Sequence, residues 1–428
     1  MLKRSVLLFL FILMLGFGIS KAIAQMTVDV DLGNGALARY RTPAVPSHIA
    51  FLSVHSSADF RNHPSTTELR NRGFNTLGMT TRFTGGSADQ RELIAIDVRN
   101  AVRFLRSQPG ITKVVLIGHS GGGRVVAYYQ ALMENGVSFC RDPNKLTQCP
   151  FSGLEFTPND RADGFVMLDS GTVNTVRRLN ASIRNEKDPF GPAINKTLDP
   201  FLEENGFNPA GDSTYSDHFV QKYSQAQSRR MNGLIQDALR INRQIELGLR
   251  DDEPFVISRV DARLAELDLD VHGSTLNPAK LLKNNGTIDD TQIVHTVRVV
   301  PTTDREGDLE RAEEYANVVQ FLSDDAVRSK NSLDDIDWCS SNNQAICNVR
   351  QISIPILVMG TQGHYFIRDQ EEIYENSASA DKDFVVVEGA NHNLGNCTAC
   401  AAFHGTGPYT NVPLNLWNHV RDWANARF

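Results

Sequence analysis

The stretch from Lys113 to Gly123, KVVLIGHSGGG, constrains this 428-residue chain more than any other. Val114 to Ile117 are apolar on both alternating faces, which suits a strand buried on both sides in a parallel sheet. Arg124 to Met133, RVVAYYQALM, then repeats apolar residues every three or four positions, and Glu134-Asn135-Gly136 supplies a helix stop. The turn between strand and helix must be sharp, and it carries one hydroxyl, Ser120, between Gly118 and Gly122. A serine at such a turn is strained, and the residues two before and two after it must approach without a β-carbon. The strain exposes Oγ. The helix N-terminus and the N–H of Gly121 put positive potential where an oxyanion would form. No P-loop lysine follows and no G-x-G-x-x-G is present, so the stretch is not read as a phosphate cradle.

In this strand, turn and helix setting, Gly118-His119-Ser120-Gly121-Gly122 is a G-x-S-x-G nucleophile elbow, and on it the chain resembles the α/β-hydrolases. The resemblance covers about 25–172 and 350–428. It implies an α/β fold, a mostly parallel sheet flanked by helices, with a mainly helical cap inserted. The flanking pattern agrees. Ile49 to His55, Phe74 to Met79, Phe165 to Leu168, Ile354 to Met359 and Phe384 to Val387 read as strands. Thr66 to Arg72, Gln90 to Arg106 and Leu414 to Ala426 read as helices, and such alternation means parallel strands with right-handed crossovers. Beyond Thr172 charge is dense, and Ser228 to Leu249 has amphipathic helical spacing. A catalytic domain is expected at 25–171 and 352–428, and a cap insertion at 172–351.

Lys3 and Arg4, an apolar run from Val6 to Ile19 and Ala22-Ile23-Ala24 have the layout of a signal peptide over 1–24, so the protein is expected to be secreted or periplasmic. The run is too short for a membrane span, and no cysteine follows it as in a lipoprotein. No membrane anchor is expected after cleavage. The six cysteines fall in three close pairs, Cys140/Cys149, Cys339/Cys347 and Cys397/Cys400. Six allow 15 connectivities, and local disulfides are the simplest. Cys397-Thr398-Ala399-Cys400 lacks a second CxxC, which favours a structural bridge over a zinc or redox site. A net charge of -7 without a long basic run gives no footprint for nucleic acid.

A serine hydroxyl needs a base, and the base needs an orienting group. The resemblance places the base at His392, in VVVEGANHNLG after the last clear strand. His119 is expected to pack rather than react, and His404 to be structural. The acid departs from the pattern: where the family carries an aspartate after IPILVMG, this chain has Gly363, then His364. The alternative place, after the preceding strand, holds Asp169 in VMLDSG, with Asp369, Glu371 and Glu372 as further candidates. The resemblance sets the oxyanion donors at the N–H of Gly121 and at Ser57 or Ser56, just after His55.

These readings point to an exported serine hydrolase that cleaves a carboxylic ester or lactone through an acyl-enzyme on Ser120. The expected substrate is a small-molecule or acyl ester, with no metal or organic cofactor. Two rivals remain: an amide or peptide hydrolase on the same triad, and a non-catalytic binding protein of the same fold, whose best support is the missing acid at Gly363. An aspartate-nucleophile hydrolase is disfavoured by Ser120 itself.

Overall fold

The computed structural model describes residues 25–428 apart from 46, 152, 154–155, 172–174, 185–193, 259–261, 301–311 and 331–334. The leader expected over 1–24 lies outside the described residues. In chain order the strands are β1 (Thr27–Gly33), β2 (Ala36–Arg41), β3 (Ile49–Val54), β4 (Asn75–Met79), β5 (Lys113–His119), β6 (Gly164–Leu168), β7 (Phe255–Ser258), β8 (Ala279–Leu282), β9 (Ile288–Gln292), β10 (Ala312–Tyr315), β11 (Arg328–Ser329), β12 (Ile336–Asp337), β13 (Ile356–Thr361) and β14 (Lys382–Val387). The helices that frame the site are α1 (Pro64–Asn71), α2 (Ile94–Ser107) and α3 (Gly122–Asn135).

Ten strands form one sheet in the order β1-β2-β4-β3-β5-β6-β13-β14-β8-β9. From β4 through β8 in this order every neighbouring pair is parallel. The pairs β1–β2, β2–β4 and β8–β9 are antiparallel. This mostly parallel sheet with helices on both faces is the α/β-hydrolase architecture expected from the elbow. The central strands are apolar on both sides because both sides are covered. Leu52, Leu116 and Met167 face a core with α2 and α3, while Phe51, Val115 and Val166 face one with α1 and the helix Val412–Asn425. Trp417 of that helix is 1% exposed, and burying such side chains supplies about 1.5–3 kcal/mol each.

The 172–351 stretch contains the 30-residue helix Asp217–Glu246, wider than the Ser228 to Leu249 segment expected. Met231, Leu234 and Ile235 on it pack with Ile257, Phe321 and Leu322, while Phe219 and Tyr223 pack with Leu264 and Leu267. The stretch departs from the mainly helical cap expected: within it β7 pairs with β10 and β11 with β12, and two further strands join the main sheet. β8 and β9 belong to the main sheet: Lys280, Leu281 and Leu282 pair with Val385, Val386 and Val387 of β14. Without them β14 would present an open edge of unpaired backbone groups. Elsewhere the stretch is clamped to the elbow helix by charge. Arg124, in the first turn of α3, lies 2.9 Å from Asp324 and 3.1 Å from Asp325, and Arg91 also pairs with Asp324.

The six cysteines pair locally as expected, Cys140–Cys149, Cys339–Cys347 and Cys397–Cys400. Among the described residues no helix is long and apolar enough to cross a membrane.

Candidate active site

Ser120, Asp169 and His392 come from the C-terminal ends of the parallel strands, where sheets of this kind bind ligands. Ser120 follows β5 directly, at φ 54°, and its N–H donates to Leu168 O at 3.1 Å. The glycines around it are required by contact. A β-carbon on Gly118 would lie 2.5 Å from Gly122 O, and one on Gly122 would lie 2.1 Å from Val54 O. Asp169 follows β6, also at positive φ (42°), and its N–H donates to Met359 O at 2.7 Å. His392 sits in the loop after β14, which turns back on itself through Asn391 N–H to Gly395 O.

His392 Nε2 is 3.0 Å from Ser120 Oγ, and His392 Nδ1 is 2.6 Å from Asp169 Oδ2. An ionised carboxylate only accepts, so Nδ1 carries the ring proton and Nε2 is left to accept from the serine hydroxyl. Asp169 is fully buried, which opposes ionisation. The neighbouring His364 and His392 outweigh burial and hold its carboxyl well below the usual carboxylate range. Thr361 N–H adds a long contact to Oδ1 at 3.3 Å.

The loop after β13, which lacks the expected acid, delivers His364 instead. Its ring stacks on His392 with centroids 4.3 Å apart, and its Nδ1 lies 2.8 Å from Asp169 Oδ2 without hydrogen-bond alignment. Asp169, His364 and His392 thus form a cluster of potential metal ligands. His119, expected to pack, does so with a defined job. Its Nε2–H donates to the backbone O of His392 at 2.7 Å, so its Nδ1 accepts from His63 Nε2 at 3.1 Å. His63 Nδ1 in turn lies 2.7 Å from Ser65 Oγ. Burial pushes His119 down to about 4 and His63 to about 2, so both rings are neutral struts.

The other candidates are engaged elsewhere. Asp369 and Glu372 both pair with Arg177, at 2.7 and 3.0 Å. Glu371 is buried and accepts from the N–H groups of Leu276 (2.7 Å) and Asn277 (2.8 Å), so it staples the approach to β8. None of the three is bonded to His392, whose Nδ1 is taken by Asp169. Ser57, the first choice for the second oxyanion donor, has its N–H committed to His55 Nδ1 at 3.1 Å, leaving Ser56. His404 contacts Val297 O at 3.0 Å, as a structural residue would. The positions that sequence reasoning left without a role, His55, His63 and His364, carry no motif; only closure of the sheet brings them to the site.

Beside the site lies a cavity of roughly 70 Å³, lined by Arg177, Val220, Arg263, Val271, His272 and Phe366, among others. Phe366 presents its edge to His392, with centroids 5.8 Å apart. The charges in this wall are balanced internally: Arg177 pairs with Asp369 and Glu372, and Arg263 with Glu266 at 3.2 Å. His272, pushed down to about 3 by burial and then by Arg177 and Arg368, is neutral.

No family model and no curated protein matches the sequence. Solved structures are similar in fold. Brefeldin A esterase, described as a bacterial homologue of human hormone sensitive lipase, matches with TM-score 0.43 and 11% identity over 99% of this chain and 81% of its own. A soluble variant of monoglyceride lipase from Saccharomyces cerevisiae matches with TM-score 0.39 and 12% identity over 95% and 96%. Dienelactone hydrolase from Anabaena variabilis matches with TM-score 0.38 and 9% identity over 94% and 99%. Each of the three likenesses is remote.

Proposed function

We propose that this chain is an exported serine hydrolase that cleaves a carboxylic ester or lactone by acyl transfer, without a metal or organic cofactor. The observation that carries the reading is the unbroken line from Ser120 Oγ to His392 Nε2 and from His392 Nδ1 to Asp169. His392 takes the serine proton as Oγ adds to the carbonyl carbon, and Asp169 stabilises the imidazolium that results. The N–H groups of Gly121 and Ser56 receive the oxyanion. His392 then protonates the leaving alcohol, and water releases the acyl-enzyme by the same steps. The internally neutralised cavity beside the triad suits an uncharged acyl or alkyl group. Export is supported by the leader layout of 1–24 and by three disulfides.

The test is hydrolysis of p-nitrophenyl esters of graded acyl length by the protein from Gln25, beside Ser120→Ala, with labelling by a fluorophosphonate. Turnover and labelling in the wild type, both lost in Ser120→Ala, are the expected result. A wild type inert to both reagents would sink the reading and favour a binding protein built on the fold.

A further inference from the structure

The loop after β3 holds a histidine that the scheme above leaves unused. His55 follows Val54 directly, and the backbone N–H groups of Ser57 and Ala58 both donate to its Nδ1, at 3.1 and 2.9 Å. A ring nitrogen that accepts carries no hydrogen, so the neutral imidazole bears its proton on Nε2. Burial, then the nearby Arg124, push this ring down to about 3, so it is neutral wherever the protein would work. Phe60 lies against it with centroids 5.1 Å apart, which fixes the plane of the ring.

The position of Nε2 is read from its neighbour. A β-carbon on Gly121 would lie 3.1 Å from His55 Nε2 and 2.8 Å from Ser56 Oγ. The space beside the Gly121 backbone, next to the nucleophile, is therefore walled by an N–H and a hydroxyl. Among the described residues Nε2 has no hydrogen-bond partner, and the ring is partly exposed. A fixed, unpartnered donor beside the residue that follows the nucleophile is placed to meet developing negative charge. The ring also compensates for a loss: its Nδ1 withdraws the Ser57 N–H from the site, and its opposite edge presents a donor in return.

We propose that His55 Nε2–H is a side-chain donor of the oxyanion hole, acting beside the N–H of Gly121, an inference that rests on the acyl-transfer reading above. As Ser120 Oγ bonds to the carbonyl carbon, the C=O π pair moves onto oxygen and the serine proton passes to His392. His55 donates a hydrogen bond to that oxygen and keeps its proton. When the C–O bond to the alcohol breaks, the pair returns to the carbonyl, and the alkoxide takes its proton from His392.

His55→Asn separates the two edges of the ring. The Asn Oδ1 reaches the place of Nδ1 and accepts from Ser57 and Ala58, while nothing replaces the Nε2 donor. The expected result is a wild-type Tm, a kcat lower by about 10²–10³-fold and a KM within threefold of wild type. Affinity for a trifluoromethyl ketone, which forms a tetrahedral adduct, should fall by the same factor, and that for the corresponding methyl ketone should not. Wild-type kcat and wild-type ketone affinity in His55→Asn would overturn the inference while leaving Ser120 labelling intact. A wild type without Ser120 labelling would instead remove the acyl-transfer reading beneath it. Should His55→Asn be unstable, ¹⁵N-histidine NMR of the wild type decides: the Nε2–H resonance moves downfield when the hemiketal forms, and an unmoved resonance overturns the donor role.

Discussion

Ser120 and Asp169 both sit at positive φ, 54° and 42°, in a region that non-glycine residues enter at a cost of order 1–3 kcal/mol. Two strained residues at the ends of adjacent strands present one hydroxyl and one carboxylate to a single imidazole. Asp169→Asn keeps the shape but allows the wrong tautomer of His392, so kcat should fall about 10⁴-fold with the fold retained, checked by steady-state kinetics beside circular dichroism. Glu371→Gln is the contrasting case. It weakens the staple to Leu276 and Asn277, so Tm should drop while kcat stays within twofold; a kcat collapse there would make Glu371 the acid. At this scale the sequence was readable where a residue's position in the cluster follows from its place after a strand, as for Ser120, Asp169 and His392. It was unreadable where the role depends on which neighbour occupies a hydrogen bond. Nothing in VHSSA says that Ser57 spends its N–H on His55, or that His119 holds His392 by its backbone.

Among the elements, those with long apolar runs or clean helical spacing were found in the sequence to within a few residues: β3, β5, β6, β13 and α3. β8, AKLL, and β9, IDDTQ, escaped because they are four and five residues long and the second is largely polar, too little for a period to register. β1 and β2, an edge hairpin of seven and six residues, were not expected either, although Val28, Val30 and Leu32 alternate with Asp29 and Asp31 in β1. The join between α3 and the 172–351 stretch was equally hidden, since Arg124 and Asp324 are 200 residues apart. That join should matter to stability. Arg124→Met leaves Asp325, buried and held ionised chiefly by Arg124, short of its main cation, at a cost of about 3–5 kcal/mol. A lowered urea midpoint is the expected readout, with partial recovery in Arg124→Met/Asp325→Asn; an unchanged midpoint would mean that the clamp contributes nothing.

The molecule as a whole holds a set of neutral histidines. His55, His63, His119 and His272 are all held below their ordinary value, by burial first. The native chain keeps them neutral while the unfolded chain takes up protons below about pH 6.5, so their contribution is whole above that pH and is lost as pH falls. The loss continues until His119 titrates near 4 and His55 and His272 near 3. Each adds about 1.4 kcal/mol per pH unit across its window. Tm should therefore be flat from pH 7 to 8 and fall steeply between 6.5 and 4.5. His119→Gln should flatten that fall by one proton's worth, and an unchanged slope in this variant would contradict the assignment.

The return of the 172–351 stretch to the sheet at β8 and β9 bears on how such a chain can be recombined. A segment that leaves a domain and returns once is a cassette, exchangeable at two seams. Here the chain dips back to pair with β14 midway, so the 172–351 stretch is two cassettes with a shared structural seam between them. Grafting it whole would strip the recipient of an edge and carry an orphan hairpin along. Diversity above the triad is more readily exchanged in the two arcs on either side of Ala279–Gln292, with that hairpin left at home.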